Sequence, residues 1–217
     1  MQTLKAQSRV VLVLWGALLS AGIFALFLGL WALAFVSAAT LALSMAPAIL
    51  ASRFSVTMPI PFLVAITLFA IGSVLMGEAL GFYERVWWWD LALHGASAVG
   101  FGIIGFLFIF MLFEGDKFAG PPAAIAFLSF CLAITVGSIW EVFEYSMDRG
   151  FGLNMQKNGL DDTMEDMIVN ALGGLIGAGS GFFYLKGRER HLFAPFVRQF
   201  VDANRRLYQR AKQRMRR

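Results

Sequence analysis

Charge is scarce in this chain. Asp, Glu, Lys and Arg make up 15% of its 217 residues against 59% hydrophobic, and the mean hydropathy is +0.69. A soluble domain carries about 25% charged residues, so this chain cannot cover itself with polar surface in water. Cysteine is nearly absent: the single Cys131 excludes an intrachain disulfide and, lying in an apolar run, reports no redox compartment. No Gly-rich phosphate loop, nucleophile elbow, CxxC or HExxH occurs. Nucleotide hydrolysis and thiol redox chemistry therefore lack support.

What the chain has instead is long apolar runs. A membrane-spanning helix needs about 20 mostly apolar residues, and such runs are read at 10–28, 31–50, 60–80, 90–112, 122–144 and 163–185. Lys5 and Arg9 precede the first of them like the start of a signal peptide, but apolar residues continue to Leu50 without a polar cleavage region. An uncleaved signal-anchor helix is the better reading. The expected fold is all-α: a polytopic transmembrane helical bundle of about six spans over 1–190, followed by a basic amphipathic tail over 191–217.

Basic residues set the expected orientation. Of 18 Lys and Arg, eleven fall between Lys186 and Arg217, and Lys5 and Arg9 sit at the other terminus. An even number of spans puts both termini on one side, and the positive-inside rule makes it cytoplasmic. The expected location is the bacterial inner membrane, multi-pass. Trp87, Trp88 and Trp89 fall at the opposite interface, as an aromatic belt would. In the tail, Phe193, Phe196, Val197, Phe200, Val201, Leu207, Tyr208, Ala211 and Met215 recur at helical spacing among Arg198, Arg205, Arg206, Arg210, Arg214, Arg216 and Arg217. A basic amphipathic helix on anionic lipid headgroups is expected there. No nucleic-acid partner is expected, because a tail tethered beside a bilayer meets lipid first.

Acidic residues are few but concentrated. Eight of 14 lie in three short segments: Asp90; Glu141, Glu144 and Asp148; and Asp161, Asp162, Glu165 and Asp166. On the topology above, all three fall at the same, non-cytoplasmic, interface. Asp90 and His94 share one helix face, with Ser97 continuing it; Glu141, Glu144 and Asp148 share a second; Asp162, Asp166 and Asn170 share a third. Glu165 points away from that third face. Beyond Asn170 the same face becomes Gly173, Gly177 and Gly181, a ridge that lets another helix approach closely. Capping accounts for Asp162 and Thr163 at a helix start and helix-end solvation for Glu141 and Glu144, but neither accounts for Asp166 and Asn170 deeper in. Carboxylates gathered in a membrane must share protons or a cation. Arg85, Arg149 and Lys157 offset only part of the charge, and oxygen donors with one imidazole suit Mg, Mn, Fe or Zn. The expected ligands are Asp90, His94, Glu141, Glu144 and Asp166, which are also the catalytic candidates, with Asp148, Asp162 and Asn170 supporting. A divalent cation is the expected cofactor, its identity open. The Gly- and Asn-rich stretch from Arg149 to Leu160 is read as a connector able to cover the site.

These residues carry a resemblance. Asp90-x3-His94, Trp140-Glu141-x2-Glu144-Tyr145 and Asp162-Thr163-x2-Asp166-Met167-x2-Asn170 resemble the YjdF-like family of uncharacterised bacterial inner-membrane proteins. More distantly the order is similar to VanZ-like proteins, which are associated with glycopeptide resistance. The resemblance spans about residues 60–185 and departs from the nearer family at Tyr145, where it implies Trp. It implies a small polytopic fold with a shared polar site and names no reaction. Three functions fit: a membrane-embedded enzyme or binding site for a lipid-linked or envelope substrate; a non-catalytic partner in a membrane complex or homo-oligomer; and an ion- or proton-coupled transporter. The last is disfavoured because no inverted repeat or interrupted helix pair is evident.

Overall fold

The computed structural model describes residues 9–54, 56–113, 120–188 and 193–206. Lys5, and Leu207, Tyr208, Arg210, Ala211, Arg214, Met215, Arg216 and Arg217 of the expected tail helix, lie outside the described residues. The chain forms two compact units, one ending at Trp89 and the other running from Asp90. Among the described residues the regular structure is helical, and six helices are long and apolar enough to cross a membrane.

The first unit holds α1 (Arg9–Phe27), α2 (Trp31–Arg53), α3 (Ile60–Ala70, running on as a π-helix over Ile71–Ala79) and the short α4 (Phe82–Arg85). Gly29 makes the tight α1–α2 hairpin. Its φ of +70° lies where L side chains are strained, and the Leu30 N–H closes the turn on the Ala25 carbonyl at 2.9 Å. Val11, Trp15 and Leu63 form the core of this unit, with Leu41, Met45 and Val64 packed on it. Thr40, Ser44 and Thr67 are fully buried, and each donates its hydroxyl to a carbonyl one turn back. That local bond is how a helix carries hydroxyls without a polar partner.

The second unit holds α5 (Trp89–Leu112), α6 (Pro122–Phe151), α7 (Leu160–Leu185) and α8 (Ala194–Ala203). The glycine ridge of α7 is used within this unit. A Cβ on Gly177 would run into the Val99 carbonyl and stand 2.9 Å from the Gly102 Cα; one on Gly173 would stand 2.6 Å from the Gly95 carbonyl; one on Gly181 would enter the Phe106 ring. From the α5 side, a Cβ on Gly102 would meet the Gly174 carbonyl at 2.9 Å. The two backbones thus touch from Gly173 to Ala178, about one and a half turns of α7, as small-residue ridges permit. Phe106, Phe110 and Tyr184 seal the far end edge-to-face.

Two expectations need correction. The helix expected over 122–144 continues to Phe151, so Glu141 lies about 15 Å inside its end at 1.5 Å per residue and is not a solvated helix-end residue. The tail helix packs back on α7. Val197, expected on a lipid-facing stripe, is fully buried, as is Ala194, while Arg198 and Arg205 stay exposed.

The contact between α5 and α7 predicts an asymmetric glycine series. Gly177→Leu should cost about 3 kcal/mol or more, since backbone rather than a flexible side chain blocks it. A Cβ on Gly179 meets nothing within 4 Å, so Gly179→Ala should be neutral or stabilising by up to ~1 kcal/mol. Unfolding titrations in detergent give both values. Oligomeric state should not respond before the fold does.

Candidate metal centre

The second unit brings the acidic segments to one end of three helices. Asp90 and His94 come from the start of α5, Glu141 and Glu144 from the last third of α6, and Asp162, Asp166 and Asn170 from the start of α7. His94, Glu141, Glu144, Asp166 and Asn170 are all buried, with Asp166 and Asn170 each 2% exposed. The i, i+4 and i, i+3 spacings put each helix's donors on one face, and the glycine contact below draws the α5 and α7 faces together. Gly137 on α6 completes the arrangement, because a Cβ there would stand 2.8 Å from Asn170 Nδ2.

The imidazole of His94 stands in the middle. Its Nδ1 is 3.6 Å from Glu141 Oε1 and 3.4 Å from Asn170 Nδ2. Its Nε2 is 3.7 Å from Asp90 Oδ1 and 3.8 Å from Asp166 Oδ2. Direct N–H···O bonds close to about 2.7–3.2 Å, whereas donors held at ~2.0–2.1 Å around one tetrahedral ion stand about 3.3 Å apart. The spacing of the carboxylates around His94 is nearer the second value than the first.

Two donor sets emerge, each with its donor atoms within 4.8 Å of one another: His94, Glu141, Glu144 and Asp166; and Asp90, Asp162 and Asp166. Such a set could hold a metal ion. Glu144 Oε1 accepts the Trp140 indole N–H at 2.9 Å. Both oxygens of Glu141 and Oδ2 of Asp166 are buried with no hydrogen bond within 3.5 Å, and the Thr163 side chain lends Glu141 a weaker, longer contact. A carboxylate oxygen in that state lacks what replaces water on burial.

The remaining residues of the sequence pattern hold the covering loop. Asp148 lies outside both donor sets; its two oxygens accept the Met155 and Gln156 N–H groups at 2.7 and 2.9 Å. Asp162 accepts the Lys157 N–H at 3.2 Å, and the Gln156 side chain donates to Thr163 at 2.6 Å. The loop runs from Gly152, since Arg149, Gly150 and Phe151 belong to α6. Helix α7 starts after Gly159 without a side-chain capping bond, so Asp162 and Thr163 bind the loop instead of capping. Ser97 donates to the His94 carbonyl of its own helix. Asp161 and Glu165 are exposed. Sequence reasoning missed Gly137 and the Trp140–Glu144 bond. The i, i+4 spacing of the latter was a legible signal; Gly137 had none without the α6–α7 pairing.

Comparison with known proteins places this geometry. The family described as "Predicted membrane protein (DUF2238)" matches residues 7–187. The chain belongs to this family. The match reaches through the α1–α2 hairpin as well as the whole donor cluster. A Thermotoga maritima protein described as "Uncharacterized protein" is 32% identical over 99 residues, covering 46% of this chain and 50% of that protein. The chain therefore spans about half the length of the relative it matches. No solved structure matches it.

Removing the loop anchor tests the role given to Asp148. Asp148→Ala should speed amide exchange at Met155 and Gln156 by about 10–100-fold, as expected for losing bonds to a charged acceptor, with helical circular dichroism unchanged.

Proposed function

We propose that this membrane protein holds a divalent cation on His94, Glu141, Glu144 and Asp166, with Asp90 and Asp162 beside them, and presents it to a lipid-linked or envelope substrate. One observation carries the reading: the buried Oδ2 of Asp166, and the buried oxygens of Glu141 beside it, have no hydrogen bond within 3.5 Å, the Thr163 side chain giving Glu141 only a longer contact. An intramembrane carboxylate costs several kcal/mol unless it is paired, hydrated or neutralised, and a cation neutralises several at once. Carboxylate oxygens with one imidazole suit Mg, Mn, Fe or Zn. Such an ion would act as a Lewis acid and lower the pKa of a bound water towards 7, which fits hydrolytic or transfer chemistry. The likeness to YjdF-like and VanZ-like proteins supports an envelope setting.

In this reading both termini face the cytoplasm of a bacterial inner membrane, and the donor cluster lies towards the opposite leaflet. The exposed arginines of the tail would then meet anionic headgroups. A C-terminal reporter fusion active only in the cytoplasm checks the orientation; activity of a periplasmic reporter at that position overturns it. The assembly-partner reading loses one support, because the glycine ridge is covered by α5 within the chain. Transport gains one, since Glu141 is buried and lies about 15 Å inside the end of α6. However, the α7 face turns to glycine after Asn170, so no polar path continues along it.

Elemental analysis of purified protein is the decisive test. The parent should carry a stoichiometric divalent metal, and Glu141→Gln and Asp166→Asn should each lose it by about tenfold or more while inserting normally. Metal-free parent protein, whose affinity for added Mn or Zn is no better than that of the variants, would sink the reading.

A further inference from the structure

The geometry points to two divalent cations rather than one, with the carboxylate of Asp166 bridging them. This rests on the metal-binding reading above and adds a stoichiometry and a bridging residue to it. The two donor sets share Asp166 and no other residue. A carboxylate has two oxygens and can give one to each neighbour, and paired ions so bridged stand about 3.5–4 Å apart. The inner set takes His94, Glu141 and Glu144, all buried; the outer takes Asp90 and Asp162, each partly exposed.

Charge supports the same count. Asp90, Glu141, Glu144, Asp162 and Asp166 carry five negative charges when ionised. Lys157 is the basic residue within electrostatic reach of Asp90 and Asp162, and it offsets one. One divalent cation would leave the site two charges negative, in surroundings that penalise unpaired charge. Two divalent cations close the balance with all five carboxylates ionised, whereas one cation closes it only if two of them keep a proton. Hydrogen bonding does not do so instead: Asp162 has one backbone donor from the loop, Glu144 one indole, and Glu141 only a contact to the Thr163 side chain longer than 3.5 Å. The orphaned Asp166 Oδ2, 2% exposed as a residue, lies 3.8 Å from His94 Nε2. Nε2 also faces Asp90 Oδ1 of the outer set at 3.7 Å. The imidazole thus stands beside the shared carboxylate, between the two sets.

The full-length protein in detergent, loaded with Mn, reads the count directly. Elemental analysis of the parent should give two ions per chain, and its paramagnetic resonance should show the broadened, weakened signal of a coupled pair. Asp162→Asn, which alters only the outer set, should keep one ion with the six-line spectrum of isolated Mn. Glu144→Gln should weaken the inner ion by at least about tenfold, and Asp166→Asn should lose both. Circular dichroism and elution volume separate these losses from misfolding, and the parent's own stoichiometry stands whether or not a variant folds. A single ion, uncoupled in the parent and untouched by Asp162→Asn, overturns the pair and leaves the single-cation reading intact. No bound ion overturns both.

Discussion

The close passage of α5 and α7 is the constraint from which the rest of the second unit follows. Where Gly173 and Gly177 meet the carbonyls of Gly95 and Val99, any side chain would push the helices apart. Contact at that distance brings the next turns of both helices within reach of each other, and those turns carry His94 on one side and Asp166 and Asn170 on the other. Without a hydrophobic drive between helices in lipid, backbone contact and polar bonds must supply the association. The ridge and the donor cluster are then two ends of one interface, the first setting the distance that the second uses.

Much of this was legible in the sequence because membrane helices obey length and phase. Six spans were read from apolar runs, and the described residues hold six helices of that kind. Three in-phase acidic faces were expected to meet, and their residues lie together except for Asp148. The misreadings have local causes. The span of α6 was ended at 144 because the apolar run ends there, whereas hydrogen bonding carries the helix on until Gly152 (φ +68°) stops it. Asp148 was grouped with the ligands on spacing alone. Spacing gives a face, not a partner, and the loop's free N–H groups lie nearer. The capping roles of Asp162 and Thr163 failed similarly: the loop returns over the first turn and takes up their oxygens.

The tail shows a limit of a different kind. Its amphipathic pattern told truly that one face would be covered, but periodicity does not distinguish lipid from protein as the cover. Val197 and Ala194 are buried on the protein, while the arginines of the same helix remain exposed. A hydrophobic stripe beside a membrane domain has both partners available, and helix packing takes the nearer.

Hydrogen-bond donors thin out with depth in the donor cluster, and this ordering separates a scaffold from a site. Along α6, Asp148 lies near the helix end and holds two backbone N–H groups; Glu144, a turn deeper, holds one indole; Glu141, deeper again, has no hydrogen bond within 3.5 Å and only a longer contact to Thr163. Along α7 the order repeats, from Asp162 with its loop N–H to Asp166 with an orphaned oxygen. The cost of a bare carboxylate rises in the same direction, because water recedes. A cluster serving only to knit helices would place its best-satisfied acids deepest. Here the least-satisfied acids are deepest and surround the one imidazole, and a cation supplied from outside the chain resolves that inversion.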